Sequence, residues 1–325
     1  MNRARKRPTN QPPLVDVVGV GLNATDTVIQ LPHFPAFNSK VEFISATLLQ
    51  GGQVASAMVA CQRWGLHTRY IGKVGDDHAG ELQAEAFKEE GVEAHLTIAP
   101  GATSQTSFIL VDQTTGERTV LWNRDERVAL QPDDLDREMI VAARALLVDG
   151  HDTAAAGCAA RWAREAGIPV TGDFDNLYSG VEVLLEDTDF VISSREFPTR
   201  VSGEPDLLKS LPLIQRRFNN RMVGATLGTD GVLAWDGAEF HYCSAFRVAA
   251  VDTTGAGDVF HAAFVYGLLA GWRIEEQLKF SCAAAGLNCK AIGARGGIAP
   301  LEQIRALMRD GATYRDAYPA RRFKA

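Results

Sequence analysis

Apolar and polar positions along the chain fall into blocks that predict strands and helices in turn. Val15 to Val20 is a short β-branched run ending around Gly19 and Gly21, and it predicts a buried strand. Positions 27–50 carry Val28, Ile29 and Leu31, a Pro-rich turn, then Val41, Phe43, Ile44 and Leu48. That mixture predicts exposed strands rather than core. A helix is predicted from the Gly51-Gly52 pair to Trp64, stopped by Gly65, and an amphipathic helix over Glu81 to Glu90, stopped by Gly91. Ser104 to Asp112 and Arg118 to Asn123 read as a hairpin about Thr114-Thr115-Gly116.

From Leu146 the period alternates between strand and helix: Leu146–Val148, a helix to Ala166, a strand from Val170, another at Phe190–Ile192 and another at Met222–Ala225. Such a βαβ series predicts a mostly parallel sheet. A hairpin turn is predicted at Trp235–Gly237 and a short strand at Phe246–Val251. An apolar helix follows through Phe260, Ala262, Ala263, Phe264 and Leu268. An Ala-rich helix over Ser281–Lys290 and a closing helix over Leu301–Met308 complete the pattern.

Composition narrows the class. The 325 residues suffice for one large domain or one and a half, and 46% apolar with 22% charged residues allows a sizeable core. A net charge of −7 argues against a nucleic-acid or membrane-surface role. Of five cysteines, Cys61, Cys158, Cys243, Cys282 and Cys289, three lie in apolar Ala-rich helical patterns, and no Cys-x-x-Cys occurs; buried thiols in a reducing cytoplasm are the expectation. No run reaches the roughly 18 apolar residues of a membrane span. Met1 to Pro13 is basic with no apolar segment behind it, which predicts a solvated, disordered leader rather than a secretory signal or a nucleic-acid tail.

The chemistry concentrates at Val251-Asp252-Thr253-Thr254-Gly255-Ala256-Gly257-Asp258. A strand, a small-residue turn and a helix start would leave N–H groups and the positive end of a helix dipole open to an anion. Asp258 in the first turn is a poor neighbour for a bound anion but a suitable base beside a moving phosphoryl group. An ordinary helix cap uses the same residue types. Asn23 and Asp26 follow the first strand, where a carboxylate can accept bonds from neighbouring hydroxyls and where an Asn/Asp turn would look the same. Asp149, His151 and Asp173 also follow strands; His151 is assigned no chemistry.

Three further strings complete a pattern. Gly51-Gly52-Gln53-Val54-Ala55-Ser56 is followed by Tyr70-Ile71-Gly72-Lys73-Val74-Gly75-Asp76-Asp77; Ser193-Ser194-Arg195-Glu196 follows a strand; and Thr226-Leu227-Gly228-Thr229-Asp230-Gly231 follows another without being a Walker loop. With Asp-Thr-Thr-Gly-Ala-Gly-Asp, they resemble the signatures of the ribokinase (PfkB) family of sugar and nucleoside kinases over roughly residues 14–310.

The resemblance implies a ribokinase-like α/β fold: a doubly wound, mostly parallel sheet flanked by helices, with a small β-sheet lid inserted at about 27–50 and 102–125 in a kinase domain spanning 14–312, and a loose tail over 313–325. It implies ATP-dependent transfer of a phosphoryl group to a primary hydroxyl of a sugar or polyol. Asp258 would be the base and Gly255, Ala256 and Gly257 the anion hole, while Asp26, Gly51, Gly52, Gln53 and Ser56 would hold the acceptor. Ser193, Thr226, Gly228, Gly231, Asn288 and Gly293 would lie along ATP. Glu196 would hold Mg²⁺ through water, and Asp252 with Thr254 a monovalent cation such as K⁺.

The family usually has Asn where Ser56 and Ser193 stand, and Gln53 replaces residues that vary among relatives, so the acceptor is left open. Gln105, Ser107 and Asn123 are candidate lid contacts. A nucleoside kinase is an alternative, with Phe43, Phe108 or Trp122 stacking on a base. A non-catalytic sensor is another. A homodimer through the lid strands is expected by analogy, with neither nucleic-acid nor membrane partners.

Overall fold

The computed structural model describes residues 15–318 and 322–324, so the Met1–Pro13 leader lies outside the described residues. In chain order the strands are β1 (Val15–Val20), β2 (Ala24–Leu31), β3 (Ser45–Gly51), β4 (Thr68–Gly75), β5 (Glu93–Ala99), β6 (Thr106–Asp112) and β7 (Arg118–Asn123). They continue as β8 (Ala143–Asp149), β9 (Val170–Phe174), β10 (Phe190–Ser194), β11 (Met222–Thr226), β12 (Val232–Trp235), β13 (Phe240–Cys243) and β14 (Arg322–Phe323). The helices are α1 (Gln53–Arg63), α2 (His78–Glu89), α3 (Arg137–Val141), α4 (Thr153–Glu165), α5 (Val181–Glu186), α6 (Phe197–Ser202), α7 (Leu207–Phe218), α8 (Ala256–Leu269), α9 (Ile274–Asn288) and α10 (Leu301–Asp310).

A ten-stranded sheet runs in the order β14-β13-β12-β11-β10-β9-β8-β1-β4-β5. It is parallel from β11 through β5, and β12 to β14 extend it antiparallel. The central strands are apolar at nearly every position because helices cover both faces. Val17, Ala145 and Leu147 pack toward α1, α8, α9 and α10, while Val15, Val18, Val20 and Leu146 pack toward α3 to α7. Helix α8 is apolar all round because it is sandwiched between α1 and α9. The strand order reverses at β1, which pairs with β8 on one side and β4 on the other, and that reversal opens a crevice at the carboxyl end of β1.

A second sheet, ordered β3-β2-β6-β7, stands over this crevice. Only Gly21, Leu22 and Asn23 separate β1 from β2, so the chain passes directly from the main sheet into the lid. β3 and β7 are largely exposed, as their mixed composition predicts, whereas Val28 of β2 and Ile109 and Val111 of β6 are buried and pack against Leu49 and Ile292.

Two expectations are corrected. Phe246–Val251 is not a strand; only Phe246 forms a bridge, to Thr313, and the backbone of Arg247 and Val251 is satisfied by Ala312 and Cys289 in loops. The C-terminal segment, expected to be loose, carries β14, which pairs with β13 while Phe323 stacks on Phe240 and on Tyr318. Cys61, Cys282 and Cys289 are buried, whereas Cys158, in the Ala-rich α4, and Cys243 are half-buried. Among the described residues no helix is long and apolar enough to cross a membrane.

Candidate active site

The loop before α8 is shaped by two buried side chains. Asp252 is fully buried, and its Oδ1 accepts from the Thr254 N–H at 2.8 Å and the Thr254 hydroxyl at 2.6 Å. Its Oδ2 accepts from the Gly293 N–H at 2.8 Å. Asn288 Nδ2 donates to the carbonyls of Thr254 at 3.2 Å and Ala294 at 3.1 Å. The chain thereby turns at Gly255, which caps α8 with φ 74°, and a side chain there would collide with the Ala294 carbonyl. The Ala256 N–H is turned to the Thr253 carbonyl at 3.3 Å, whereas those of Gly255, Gly257 and Asp258 have no acceptor among the described residues. Of the three residues expected to form an anion hole, Gly255 and Gly257 keep open N–H groups, as Asp258 does, while that of Ala256 is engaged.

Asp258 faces a cavity of about 280 Å³ that the lid closes from above. The same cavity is lined by Asp26, Gly52, Gln53, Thr254 and Gly255, so residues far apart in sequence share one space. Asp26 sits on the inner face of β2, opposite Ser107 of β6, whose hydroxyl donates to Asp26 Oδ1 at 2.6 Å. Burial raises the Asp26 carboxyl above its ordinary range, against the pull of Ser107 and the Arg295 charge. Gly51 lies against Asp26 where no side chain would fit.

Asp258 is pushed up to about 8, by burial first and then by the neighbouring Asp173. Arg118, His261 and a weaker opposing contribution from Asp26 complete its surroundings. Burial also raises Asp173 and lowers His261, whose Nδ1 lies 3.3 Å from Asp173 Oδ2.

Several expected ligand contacts turn inward. Ser56 is fully buried, and its Oγ accepts from Arg295 Nε at 3.3 Å. Arg295 also donates to the Gly51 carbonyl at 2.8 Å, and neither Ser56 nor Arg295 lines the cavity. Asn288 is fully buried and Ser193 nearly so, with its hydroxyl donating to the Gly224 carbonyl at 3.2 Å; both brace the loops around them. Gly231 and Gly293 are also buried, Gly293 through its bond to Asp252. Thr226 is half-buried and Gly228 exposed at the end of β11. Glu196 is exposed beyond β10 and makes no ion pair or side-chain hydrogen bond among the described residues.

Other residues complete the wall. Trp122, a stacking candidate in the sequence, comes from β7 with Arg118, while Asp175 and Tyr178, which follow β9, were not singled out. His151 also lines the cavity: its Nε2 lies 3.0 Å from the Tyr178 hydroxyl, and Asp149 at 3.6 Å raises it toward the charged form against the larger opposing effect of burial. Its place just after a strand was the available signal. Of the lid candidates, Gln105 and Ser107 line the cavity and Asn123 does not.

Residues 16–300 match the model of the pfkB family carbohydrate kinases, and the chain belongs to that family. It is a carbohydrate kinase that uses ATP. It is 26% identical over 324 residues to a 5-dehydro-2-deoxygluconokinase of Geobacillus thermodenitrificans, covering 90% of this chain and 93% of that one. It is 27% identical to a ribokinase of Lactococcus lactis, covering 90% and 96%. A provisionally assigned ribokinase of Agrobacterium tumefaciens superposes with a TM-score of 0.85 at 29% identity, covering 91% and 97%.

The raised Asp258 carboxyl has a thermodynamic consequence. The folded protein holds its proton to a higher pH than the unfolded chain does, so this group's stabilisation is complete below about pH 4 and is lost as pH rises toward 8. Asp258→Asn, which cannot ionise, is expected to melt at a higher temperature than wild type at pH 8, the gap closing toward pH 5. Calorimetric melts across that range check it; a constant gap would mean the carboxyl is not shifted.

Proposed function

We propose that the cavity is the acceptor site and that the enzyme phosphorylates a primary hydroxyl of a neutral sugar or polyol. The observation that supports this most is that Asp26 and Asp258 face one cavity of about 280 Å³ whose end is the open N-terminus of α8. Asp26, with the Gly51–Gln53 backbone, would hold the sugar hydroxyls. The reacting hydroxyl oxygen attacks the γ-phosphorus of ATP, the bond from that phosphorus to the β–γ bridging oxygen breaks, and ADP leaves. Asp258 takes the hydroxyl proton, and the N–H groups of Gly255 and Gly257 stabilise the charge on the phosphoryl oxygens. The closed lid keeps water from competing as acceptor. Thr226, Gly228 and the loop around Gly293 would run beside the nucleotide.

The exposed, unpaired Glu196 suits Mg²⁺ held through its waters, and the ion would neutralise phosphate charge. A neutral acceptor is favoured because Asp26, Asp175 and Asp258 line the cavity against a single arginine, and Gln53 brings no cation. A cytoplasmic site of action accords with ATP use and the buried cysteines.

Two further elements belong to this reading. Asp252 is a fully buried carboxylate without an ion-pair partner among the described residues, and Asn288 Oδ1 beside the same loop has no donor. A K⁺ ion near them would complete that charge. On the outer face of the lid, Leu48, Phe108 and Leu121 stand in neighbouring register positions and are each 54% exposed. Such a face suits a second copy of this chain.

ADP release from Mg·ATP, measured over D-ribose, D-fructose, other sugars and polyols, sugar acids, sugar phosphates and nucleosides, tests the reaction. A neutral sugar or polyol should give the largest kcat/KM, rising with pH through about 8 as Asp258 ionises. Asp258→Asn should cost on the order of 10²–10⁴ in kcat with the fold intact. Undiminished kcat in that variant would sink the assignment; turnover only with nucleosides would move the acceptor class, and nucleotide binding without turnover would point to a sensor.

Replacing K⁺ by choline should lower kcat in wild type and leave Asp252→Asn unaffected; identical rates in both salts would remove the ion. Light scattering should give a dimer mass for wild type and a monomer for Phe108→Lys with Leu121→Lys, whereas a monomeric wild type would remove the dimer.

A further inference from the structure

The lid carries a charge to the reacting end of the cavity. Arg118, the first residue of β7, donates through Nη1 to the Thr253 hydroxyl at 2.8 Å. The Thr253 N–H donates to the Gly116 carbonyl at 3.2 Å, so the β6–β7 turn is docked on the loop that precedes α8. Gly116 turns there at φ 71°, a left-handed conformation that favours glycine, with the Val251 backbone beside it. Arg118 lines the cavity together with Asp258 and is the only lysine or arginine among the described residues that do so. Its other guanidinium N–H groups have no acceptor among the described residues. A guanidinium presents five donors in a planar fork that matches phosphoryl oxygens, so most of its capacity is open toward the site.

We infer that Arg118 is a catalytic residue delivered by the lid: with the lid closed, its guanidinium donates to oxygens of the phosphoryl group in transit, and Thr253 fixes its orientation. This rests on the kinase reading of the cavity. The charge is needed where negative charge spreads over three oxygens between two leaving positions, and it is present only when the lid is down. Arg118 is also the strongest of the cations acting to lower Asp258, against burial and Asp173; His261 on α8, Asp26 on β2 and Arg295 are the other charged or titratable groups around it. Lid closure therefore supplies the phosphoryl clamp and favours the ionised base together.

The test compares Arg118→Ala, Arg118→Lys and Thr253→Val with wild type, each first shown by melting to be folded. Binding of Mg·ADP with aluminium fluoride, a mimic of the transferring group, is measured by calorimetry beside Mg·ADP alone. Arg118→Ala should weaken the fluoride complex by on the order of 10²–10³ and leave ADP binding nearly unchanged. With the best acceptor of the panel above, kcat should fall by a similar factor while the acceptor KM changes little, and added guanidinium should restore part of the loss. The acid limb of kcat/KM should move to higher pH in Arg118→Ala and not in Thr253→Val, which keeps the cation.

Arg118→Lys should fall between the two. Unchanged fluoride-complex affinity in Arg118→Ala, or equal losses in Arg118→Ala and Thr253→Val with no rescue, would reduce Arg118 to a lid latch and overturn the inference. If Asp258→Asn also kept full kcat, the kinase reading of the cavity would fail instead, so the two failures are separable.

Discussion

The three hydrogen bonds that the Asp252 carboxylate accepts inside the protein hold the rest of the site in place. They join the approach to α8 with the loop after α9, and Asn288 ties the same two segments again from the other side. Without that clamp nothing would keep Gly255 at positive φ against Ala294, and the first N–H groups of α8 would find acceptors of their own. A free helix terminus is a strained feature in a buried place. It survives because the surrounding loop is fixed by Asp252 and Asn288 from both sides.

Much of the fold is legible in the periodicity, for a physical reason: the parallel strands are covered on both faces, so Leu146–Val148 and Met222–Ala225 read as unbroken apolar runs and Val15–Val20 is interrupted only by Asp16. The error at Phe246–Val251 has the opposite cause. That segment is apolar, yet Ala249, Ala250 and Val251 are exposed and its backbone bonds to loops, so hydrophobicity there does not mean sheet. The tail was misjudged because aromatic stacking on the edge strand, not residue period, holds Phe323.

Within the site, the string from Asp252 to Asp258 and the position of Asp26 could be found because local residue types decide them. Arg295 could not: its partners Gly51 and Ser56 lie 244 and 239 residues away, and only the assembled fold brings them together. Asn288 and Ser193 show the converse. A polar residue beside a motif looks like a ligand contact in sequence, and burial converts it into a brace. The role of Arg118 is equally hidden in the sequence, because its approach to Thr253 spans 135 residues.

The passage from β1 into β2 spans only Gly21, Leu22 and Asn23, and Asp26 rides on the lid strand itself rather than on the floor beneath it. The carboxylate that would hold the sugar is thus mechanically part of the cover. On the proposed reading, swinging the cover away carries off the acceptor's anchor in the same stroke. Departure of the phosphorylated sugar and exposure of the nucleotide then become one event rather than two, and a sugar leaving early takes the reactive geometry with it. An enzyme built this way has no resting posture in which ATP lies beside the base with the acceptor absent, so economy with ATP follows from how the chain is threaded.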